Sequence, residues 1–254
     1  MKNKILVLFV LAVLGISGCK DAGTQPVEIP FNFDYPVVDG VRAEYSIDSI
    51  DASGVNHFFG MRGTGISGST ILYSTPYFYQ YDTLYTTTDV TTSISYIRKS
   101  ANGVYYFIDT SAVNELIPDS LRPFIFTDPE MVFYSYPFEA GRNWNVFKFV
   151  AGNISIISFT ADYAGKESLS LRINNSDTTL SAYKINYNLK ITIPDSTFAL
   201  PESNFSASFW LADSVGLVRM KGSKVFLSLF TGAVFDISDT GGQIEQKITA
   251  FRRP

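Results

Sequence analysis

Cysteine and histidine are almost absent from this chain, which has one of each among 254 residues, Cys19 and His57. A lone cysteine excludes an intrachain disulfide, so the fold has to be stabilised by packing. Zinc sites usually take several His or Cys ligands. We therefore predict no metal site, and we interpret His57 as a half-buried strand residue next to Phe58 and Phe59.

Charge is also scarce, at 17% of residues, and acidic residues outnumber basic ones by 24 to 20. Nucleic-acid binding needs a basic surface, so we predict no nucleic-acid partner. The hydrophobic content of 46% is enough for a large core and is not typical of a disordered protein. After residue 18, no apolar run approaches the length that spans a membrane.

The motifs of common enzymes are missing as well. The nucleophile elbow G-x-S-x-G does not occur after residue 18. Residues 63–68 read GTGISG and match a dinucleotide fingerprint by letter, but strand-like residues follow where that site requires a helix. We therefore predict no catalytic residue, no cofactor and no enzymatic activity. Glycosidase carboxylates are assembled in space, so a secreted hydrolase is kept as the third hypothesis.

The N-terminal segment has the pattern of a secretion signal. Lys2 and Lys4 precede an apolar run at residues 5–16, and small residues lead from that run to Cys19. The run is too short to span a bilayer. Residues 14–19 resemble a bacterial lipobox. The resemblance implies a signal peptide at residues 1–18, cleavage before Cys19, and attachment to a membrane through acyl chains such as palmitate on that residue.

The expected location follows from the residues around the cleavage point. Removing residues 1–18 takes away two lysines and no acid, so the net charge changes from −4 to −6. This charge disfavours attraction to anionic lipids and leaves attachment to the acyl chains. Lys20 follows Cys19, where the best-known lipoprotein sorting rule places Asp for retention in the inner membrane. We expect the outer membrane, with the periplasmic and the surface face both open.

The rest of the chain divides into a tether and one domain. Residues 19–36 lack periodicity and contain three prolines, which is typical of a flexible tether. At residues 37–254, short alternating segments separated by turn residues predict a single antiparallel β domain. The predicted strands lie at residues 41–48, 57–59, 70–74, 77–85, 93–98, 104–109, 131–136, 143–150, 154–161, 168–173, 179–193, 205–211, 215–221, 224–230 and 244–251.

About a dozen strands with short turns predict an all-β fold, which could be a curved open sheet, a barrel or a sandwich. Residues 111–122 depart from the pattern, because helix-forming residues there stop at Pro118 and a further turn follows. We predict a short helical insert. Its apolar residues Leu116, Ile117 and Leu121 either cover the sheet and any cavity beneath it, or simply belong to a surface connection between two strands.

Three local patterns resemble an uncharacterised family of bacterial lipoproteins. Residues 136–144 match "YPF-x-x-G-x-x-W", residues 182–187 match "AYKI-x-Y", and residues 209–218 contain the aromatic-Trp and "GLV" pattern. The resemblance covers roughly residues 136–221. The rhythm of strands and turns is also similar to that of Lol-type lipoprotein carriers, which implies a similar curved sheet and says little about activity.

Three residues of these patterns are predicted to be structural. Trp144 and Trp210 are large enough to anchor a core. At Gly216, which follows the Asp213-Ser214 turn, we expect a bulge or a close approach of another backbone segment.

The aromatic content bears on function. The chain has 21 Phe and 15 Tyr, which fill β cores but also line apolar cavities. The leading hypothesis is a non-enzymatic cell-envelope lipoprotein whose curved β domain binds an apolar ligand or an envelope protein. The alternative is a structural or adhesive surface lipoprotein with a filled core. A ligand-sized cavity lined by Phe and Tyr would favour the first hypothesis.

The lipobox resemblance generates a test on Cys19. The Cys19→Ala variant should accumulate as an unprocessed precursor, because it lacks the thiol that is acylated before cleavage. Labelling of cells with an alkyne fatty acid, followed by gel analysis, should show a labelled native protein and an unlabelled variant. Continued labelling of the variant would contradict the lipoprotein assignment.

Overall fold

The computed structural model describes residues 32–108, 125–151, 154–192, 202–232 and 241–254. Strands dominate these residues, and the all-β prediction is confirmed. The thirteen strands of the described residues are β1 (Arg42–Ile50), β2 (Asn56–Leu72), β3 (Thr75–Thr86), β4 (Val90–Ser100), β5 (Gly103–Phe107), β6 (Ile125–Thr127), β7 (Glu130–Ser135), β8 (Asn143–Ala151), β9 (Ile154–Ile173), β10 (Ser176–Thr192), β11 (Glu202–Ala212), β12 (Gly216–Ser223) and β13 (Gln243–Arg252).

All thirteen strands belong to one antiparallel sheet that curls into a nearly closed barrel. Their order is β6-β8-β9-β10-β11-β12-β13-β1-β2-β3-β4-β5-β7. Most neighbours in the sheet are therefore also neighbours along the chain, as in an up-and-down barrel. The pairing of β13 with β1 joins the C-terminal half to the N-terminal half. The sheet ends at β6 and β7, and because β6 pairs only with residues 149–151 of β8, the rest of β8 faces β7 across the remaining gap.

Side chains bridge the gap between β7 and β8. The indole Nε1 of Trp144 on β8 donates to the carbonyl of Val132 at 3.0 Å, and the hydroxyl of Tyr187 on β10 donates to the carbonyl of Phe133 at 2.7 Å. A buried edge carbonyl without a partner would be costly. Trp144 is thus a half-buried residue at the seam of the barrel, and its indole satisfies the edge of β7.

The interior is filled because strand residues alternate between the two faces of the sheet. On β1, Ala43, Tyr45 and Ile47 are buried, while Arg42 and Glu44 are exposed. A cluster of rings fills the middle of the barrel, with centroid distances of 4.7–6.4 Å between neighbours such as Tyr187 and Phe209. The cluster consists of Tyr106, Phe133, Phe159, Tyr187, Phe209, Phe226 and Phe230.

Residues 33–37 cover one end of the barrel, and we call them the N-terminal plug. The ring of Phe33 packs edge-on against Tyr136, Phe138 and Tyr183, at centroid distances of 5.2–5.6 Å. Phe33 and Val37 are both buried. Aromatic residues of this proline-containing stretch, which the sequence assigns to the tether at residues 19–36, therefore bury their rings against the barrel, and the domain boundaries stay a prediction.

Gly216 lies beneath the plug. Its φ is +88°, and a Cβ atom there would lie 3.2 Å from the side chains of both Tyr35 and Pro36. Opposite it, the ladder between β11 and β12 shifts register between Trp210 and Leu211. A side chain at residue 216 would therefore be strained and would also push against the plug.

One predicted strand is wrong. Residues 224–230 were expected to form a strand, but Val225–Thr231 is an α-helix, α1, which ends at Gly232 in the left-handed conformation. Most of the helix is buried, including Val225, Phe226 and Leu227. A short, continuously apolar run has no clear period, so strand and helix cannot be separated by pattern alone.

Two further predicted strands, 154–161 and 168–173, are a single strand, β9. Gly165, which lies in the predicted break between them, has a φ of +118° and lies next to a register shift between Lys184 and Ile185 on β10. A bulge of this kind bends a strand without ending it. The long β9–β10 hairpin reaches back to the C-terminal strand, where Asn174 exchanges two hydrogen bonds with the backbone of Phe251.

Trp210 is buried, but on the outer side of β11, since its neighbours Phe209 and Leu211 point inward. Its indole Nε1 donates to Glu167 at 2.6 Å. The charged groups of Lys184 and Arg219 lie over the ring, 5.1 and 4.6 Å from its centroid. Long charged side chains of the outer surface therefore bury this ring. The hydrogen bonds from Lys184 and Trp210 lower the pKa of Glu167.

Cys19, the signal peptide at residues 1–18 and the predicted helical insert with Leu116, Ile117 and Leu121 lie outside the described residues. No helix within the described ranges is long and apolar enough to cross a membrane.

The plug is held by Asp34, and this generates a pH-dependent prediction. Partial burial would raise the pKa of Asp34, but ion pairs with Lys99 and Arg253 outweigh it and lower the pKa below its ordinary value of 3.8. A lowered carboxyl pKa stabilises the fold above pH 3.8, and this stabilisation is lost as the pH falls through the folded-state value.

Asp34→Asn keeps the backbone contacts of the plug and removes both ion pairs. At pH 7 the variant should be less stable by about 1 kcal/mol or less, because the carboxylate is partly exposed and screened by solvent. Thermal unfolding curves of variant and native protein should converge at pH 2. A difference that persists unchanged at pH 2 would contradict the role of these ion pairs.

Candidate functional site

An apolar pocket lies at the end of the barrel opposite the N-terminal plug. Its volume is about 410 Å3, within the range of small-molecule sites. Strands from both sides of the seam and helix α1 contribute to its wall. The described lining residues are Ile94, Ser95, Tyr96, Tyr106, Phe107, Ile108, Met131, Phe147, Ile157, Phe159, Leu189, Ile191 and Leu229.

The alternation of the strands explains why this lining is apolar. Leu189 and Ile191 on β10 are inward-facing residues two positions apart, as are Ile157 and Phe159 on β9. No described lining residue carries a charge, and the side-chain polar atoms are those of Ser95, Tyr96 and Tyr106. A group buried here would therefore gain from burying apolar surface and would find few hydrogen-bond partners.

Two residues of the lining are exposed at the surface. Leu229 on α1 is 37% exposed. Ile94 on β4 is 56% exposed and pairs with Tyr81 on β3, so these two side chains lie on the same, outer face of the sheet. The lining therefore reaches the protein surface at these two residues.

An ion pair supports the wall of the pocket at Phe107. Its ring packs against Tyr77, whose hydroxyl donates to Glu130. Arg98 pairs with the same carboxylate. Burial would raise the pKa of Glu130, but the hydrogen bonds from Arg98 and Tyr77 outweigh this effect and lower the pKa. Burial and the hydrogen bond to Glu130 raise the pKa of Tyr77 to about 12. The carboxylate is thus charged and the phenol neutral near pH 7.

Tyr106 connects the pocket with a buried polar network. Its hydroxyl donates to Gln80 Oε1 at 3.1 Å, and Gln80 Nε2 donates to Asp82 Oδ2 at 2.8 Å. Asp82 also pairs with Arg62, whose Nη2 lies 2.6 Å from Oδ1. The ring of Tyr106 faces the apolar pocket, while its hydroxyl is bound on the other side by the network.

The charges of this network are almost completely removed from solvent. The side chains of Arg62 and Asp82 are 3% and 0% exposed. Burial would lower the pKa of Arg62, but the charge of Asp82 outweighs it and raises the pKa, so the guanidinium stays protonated. Burial raises the pKa of Tyr106 well above its ordinary value. The network is therefore an ion pair with no net charge, surrounded by neutral tyrosine side chains.

A second cavity beside Arg62 measures about 40 Å3. Tyr35, Tyr45 and Tyr134 contribute to its wall together with Arg62 and Tyr106. This volume accommodates a water molecule and excludes a drug-sized ligand. The apolar pocket is therefore of ligand size, and the cavity beside Arg62 is not.

The sequence did not identify the pocket or the ion pair. Arg62 and Asp82 lie at inward positions of β2 and β3, so a charge at a buried position of the alternation was an available signal. Nothing in the sequence separates pocket residues such as Ile157 from core residues such as Phe209. His57, expected to be half-buried, is an exposed residue of β2 whose Nε2 lies 2.9 Å from Asp51.

Among the described residues, no three His, Cys, Asp or Glu side chains are close enough together to hold a metal ion. The buried carboxylates Asp82 and Glu245 are both paired with cations. Arg62 binds Asp82, while Arg219 and Lys247 bind Glu245.

No family model matches the chain, and no curated protein matches it. Among solved structures, a protein from Parabacteroides distasonis provisionally classed as a lipoprotein is 12% identical, with a TM-score of 0.47, covering 87% of this chain and 98% of its own. A provisionally assigned exported protein with a YmcC-like fold from Bacteroides fragilis is 11% identical, with a TM-score of 0.47, covering 87% of this chain and 99% of its own.

The hypothetical lipoprotein YmcC from Escherichia coli is 12% identical, with a TM-score of 0.30 and 84% of both chains covered. All three TM-scores lie below 0.5, so no conclusion about this chain follows from them. The motif resemblance at residues 136–221 and the likeness to Lol-type carriers stay predictions.

The buried network generates a stability test on Arg62. Arg62→Met leaves the Asp82 carboxylate buried without its cation and should cost about 3–5 kcal/mol. The paired variant Arg62→Met/Asp82→Leu removes both charges and should recover more than half of that loss. Urea unfolding of the three proteins measures both values, and a paired variant as unstable as the single one would contradict this account of the ion pair.

Proposed function

We propose that this protein is an outer-membrane lipoprotein, anchored through acyl chains on Cys19, whose barrel binds an apolar small molecule in the pocket beside Tyr106. The observation that carries the proposal is a pocket of about 410 Å3 without a charged residue among its described lining. Pockets of this size with mainly apolar walls are the usual binding sites of small ligands.

The plug and the pocket lie at different ends of the barrel. The N-terminal plug closes one end, and the pocket lies at the other end.

The proposed activity is binding without chemistry. The buried carboxylates Asp82 and Glu245 are each neutralised by a neighbouring cation and are not among the described pocket residues. Tyr106 presents its ring to the pocket and uses its hydroxyl elsewhere. The described wall therefore offers a ligand a mainly apolar contact surface, with Ser95, Tyr96 and Tyr106 as its polar side chains.

A structural or adhesive role is the second candidate, because the middle of the barrel is filled. Tyr187 packs against Phe133 and Phe209 at centroid distances of 4.9 and 4.7 Å. A barrel filled in this way is a rigid support for its outer surface, whether or not a ligand occupies the pocket at its end.

Photolabelling tests the binding proposal. The probe is dodecane carrying a diazirine, and the sample is the full-length acylated protein in phosphatidylcholine nanodiscs. Crosslinks mapped by mass spectrometry should lie in β5, β7 and β9, at residues such as Phe107, Met131 and Ile157. Ser95→Phe places a ring in the pocket and should reduce these crosslinks roughly fivefold, because the ring takes up ligand volume.

Ser170→Phe is the matched control, since Ser170 is an exposed residue of β9 that is not among the pocket residues. It should label like the native protein. Absence of crosslinks in these strands, or equal labelling of Ser95→Phe and native protein, would reject the binding proposal and favour the structural role.

A further inference from the structure

A groove crosses the outer face of β1, β2 and β3. Its volume is about 340 Å3. Two cross-strand rows form it. Arg42 on β1 pairs with Gly65 on β2, and Gly65 pairs with Tyr81 on β3. In the next outward-facing row, Glu44, Gly63 and Thr83 are aligned in the same way. The walls are therefore two strand spacings apart, about 10 Å, with glycine at the centre.

Neither a positive φ nor a steric clash requires the two glycines. Neither has a positive φ, so their backbone suits any residue. A Cβ atom at Gly63 would meet nothing within 4 Å, and one at Gly65 would make ordinary contacts at 3.6 and 3.7 Å. Gly60 on the same strand differs, since its Cβ would lie 2.2 Å from the carbonyl oxygen of Tyr85.

Glycine weakens a strand, and in a strand interior it often marks a place where another group approaches the backbone closely. At Gly63 and Gly65, neither a turn nor packing within the described chain accounts for the missing side chain. Because the two glycines have no side chains, the groove stays open.

The walls of the groove carry the chemistry that a sugar requires. The ring of Tyr81 is 43% exposed and is flanked by Tyr79 at a centroid distance of 6.3 Å. Arg42 supplies hydrogen-bond donors, Glu44 supplies acceptors, and the hydroxyl of Thr83 does both. An aromatic face beside several donors and acceptors is complementary to a sugar ring, which has a C–H face and a rim of hydroxyls.

We propose that this groove binds one sugar ring of an uncharged glycan. The ring stacks on Tyr81, its hydroxyls bind Arg42 and Glu44, and the glycine floor lets it approach the sheet. The carboxylate of Glu44 would repel a phosphate or another anion placed beside Arg42. An acyl chain or an apolar peptide would leave the charged wall without hydrogen-bond partners.

This inference is independent of the proposed apolar ligand. The groove and the pocket have no described lining residue in common. A negative photolabelling test would not contradict glycan binding in the groove. A negative glycan test would not contradict ligand binding in the pocket.

The test measures binding of neutral tri- to hexasaccharides of glucose, galactose, mannose and N-acetylglucosamine by saturation-transfer NMR. The full-length protein is kept in lauryldimethylamine oxide, because that detergent has no sugar headgroup. At least one oligosaccharide should bind. Tyr81→Ala should weaken binding about tenfold or more, while Tyr81→Phe keeps the ring and should restore it to near the native level.

Gly63→Val fills the groove and is the variant that best separates loss of binding from loss of stability. It should abolish binding without lowering the melting temperature, because valine suits a strand and its Cβ meets no atom there. Ser170→Val on the exposed face of β9 is the control and should bind normally.

Four outcomes would overturn the proposal. The first is that no oligosaccharide binds the native protein, and the second is that it binds charged glycans alone. The third is that binding survives both Tyr81→Ala and Gly63→Val. The fourth is a Gly63→Val variant that melts well below the native protein, which would give the glycine a structural role instead.

Discussion

The hydroxyl of Tyr187 and the indole of Trp144 donate to two consecutive carbonyls of β7, at the seam where the described strands have no backbone ladder. An open, largely apolar sheet of this length would leave an edge and a concave face in contact with water. Two side-chain donors at the seam satisfy the edge and bring β7 against β8. The filled interior, the plugged end and the apolar pocket all depend on this closure, because each is bounded by strands from both sides of the seam.

The two ends of the barrel differ because different segments meet them. At one end the plug inserts Phe33 among rings and ties Asp34 to Lys99 and Arg253. At the other end, α1 contributes Leu229 to the rim and leaves a pocket beneath it. The ion pair of Arg62 and Asp82 lies between them, inside the barrel. A barrel with one end closed by its own chain presents its ligand-sized cavity at the other end.

Aromatic residues serve three distinct purposes in this protein. Rings such as Phe133 pack in the interior, where dispersion and burial stabilise the fold. Phe107 and Tyr106 bound the pocket, where ring surface is left for a ligand. Tyr81 stands on the outer face opposite Gly65 of β2, and there its ring is exposed. The amino-acid composition does not distinguish these rings, although their surroundings give them different roles.

By itself, the sequence determined the all-β class, most strand positions and the hairpin turns, because alternation with period two and turn residues are local properties. It was misleading at residues 224–230, where a continuous apolar run has no period, and at Gly165, where a bulge replaced a break. Tertiary structure alone decided that the sheet closes, that Phe33 packs against the barrel, and that Arg62 meets Asp82. It also decided where the pocket and the groove lie, because each gathers residues that are distant along the chain and become neighbours through strand register and sheet curvature, which no local pattern encodes.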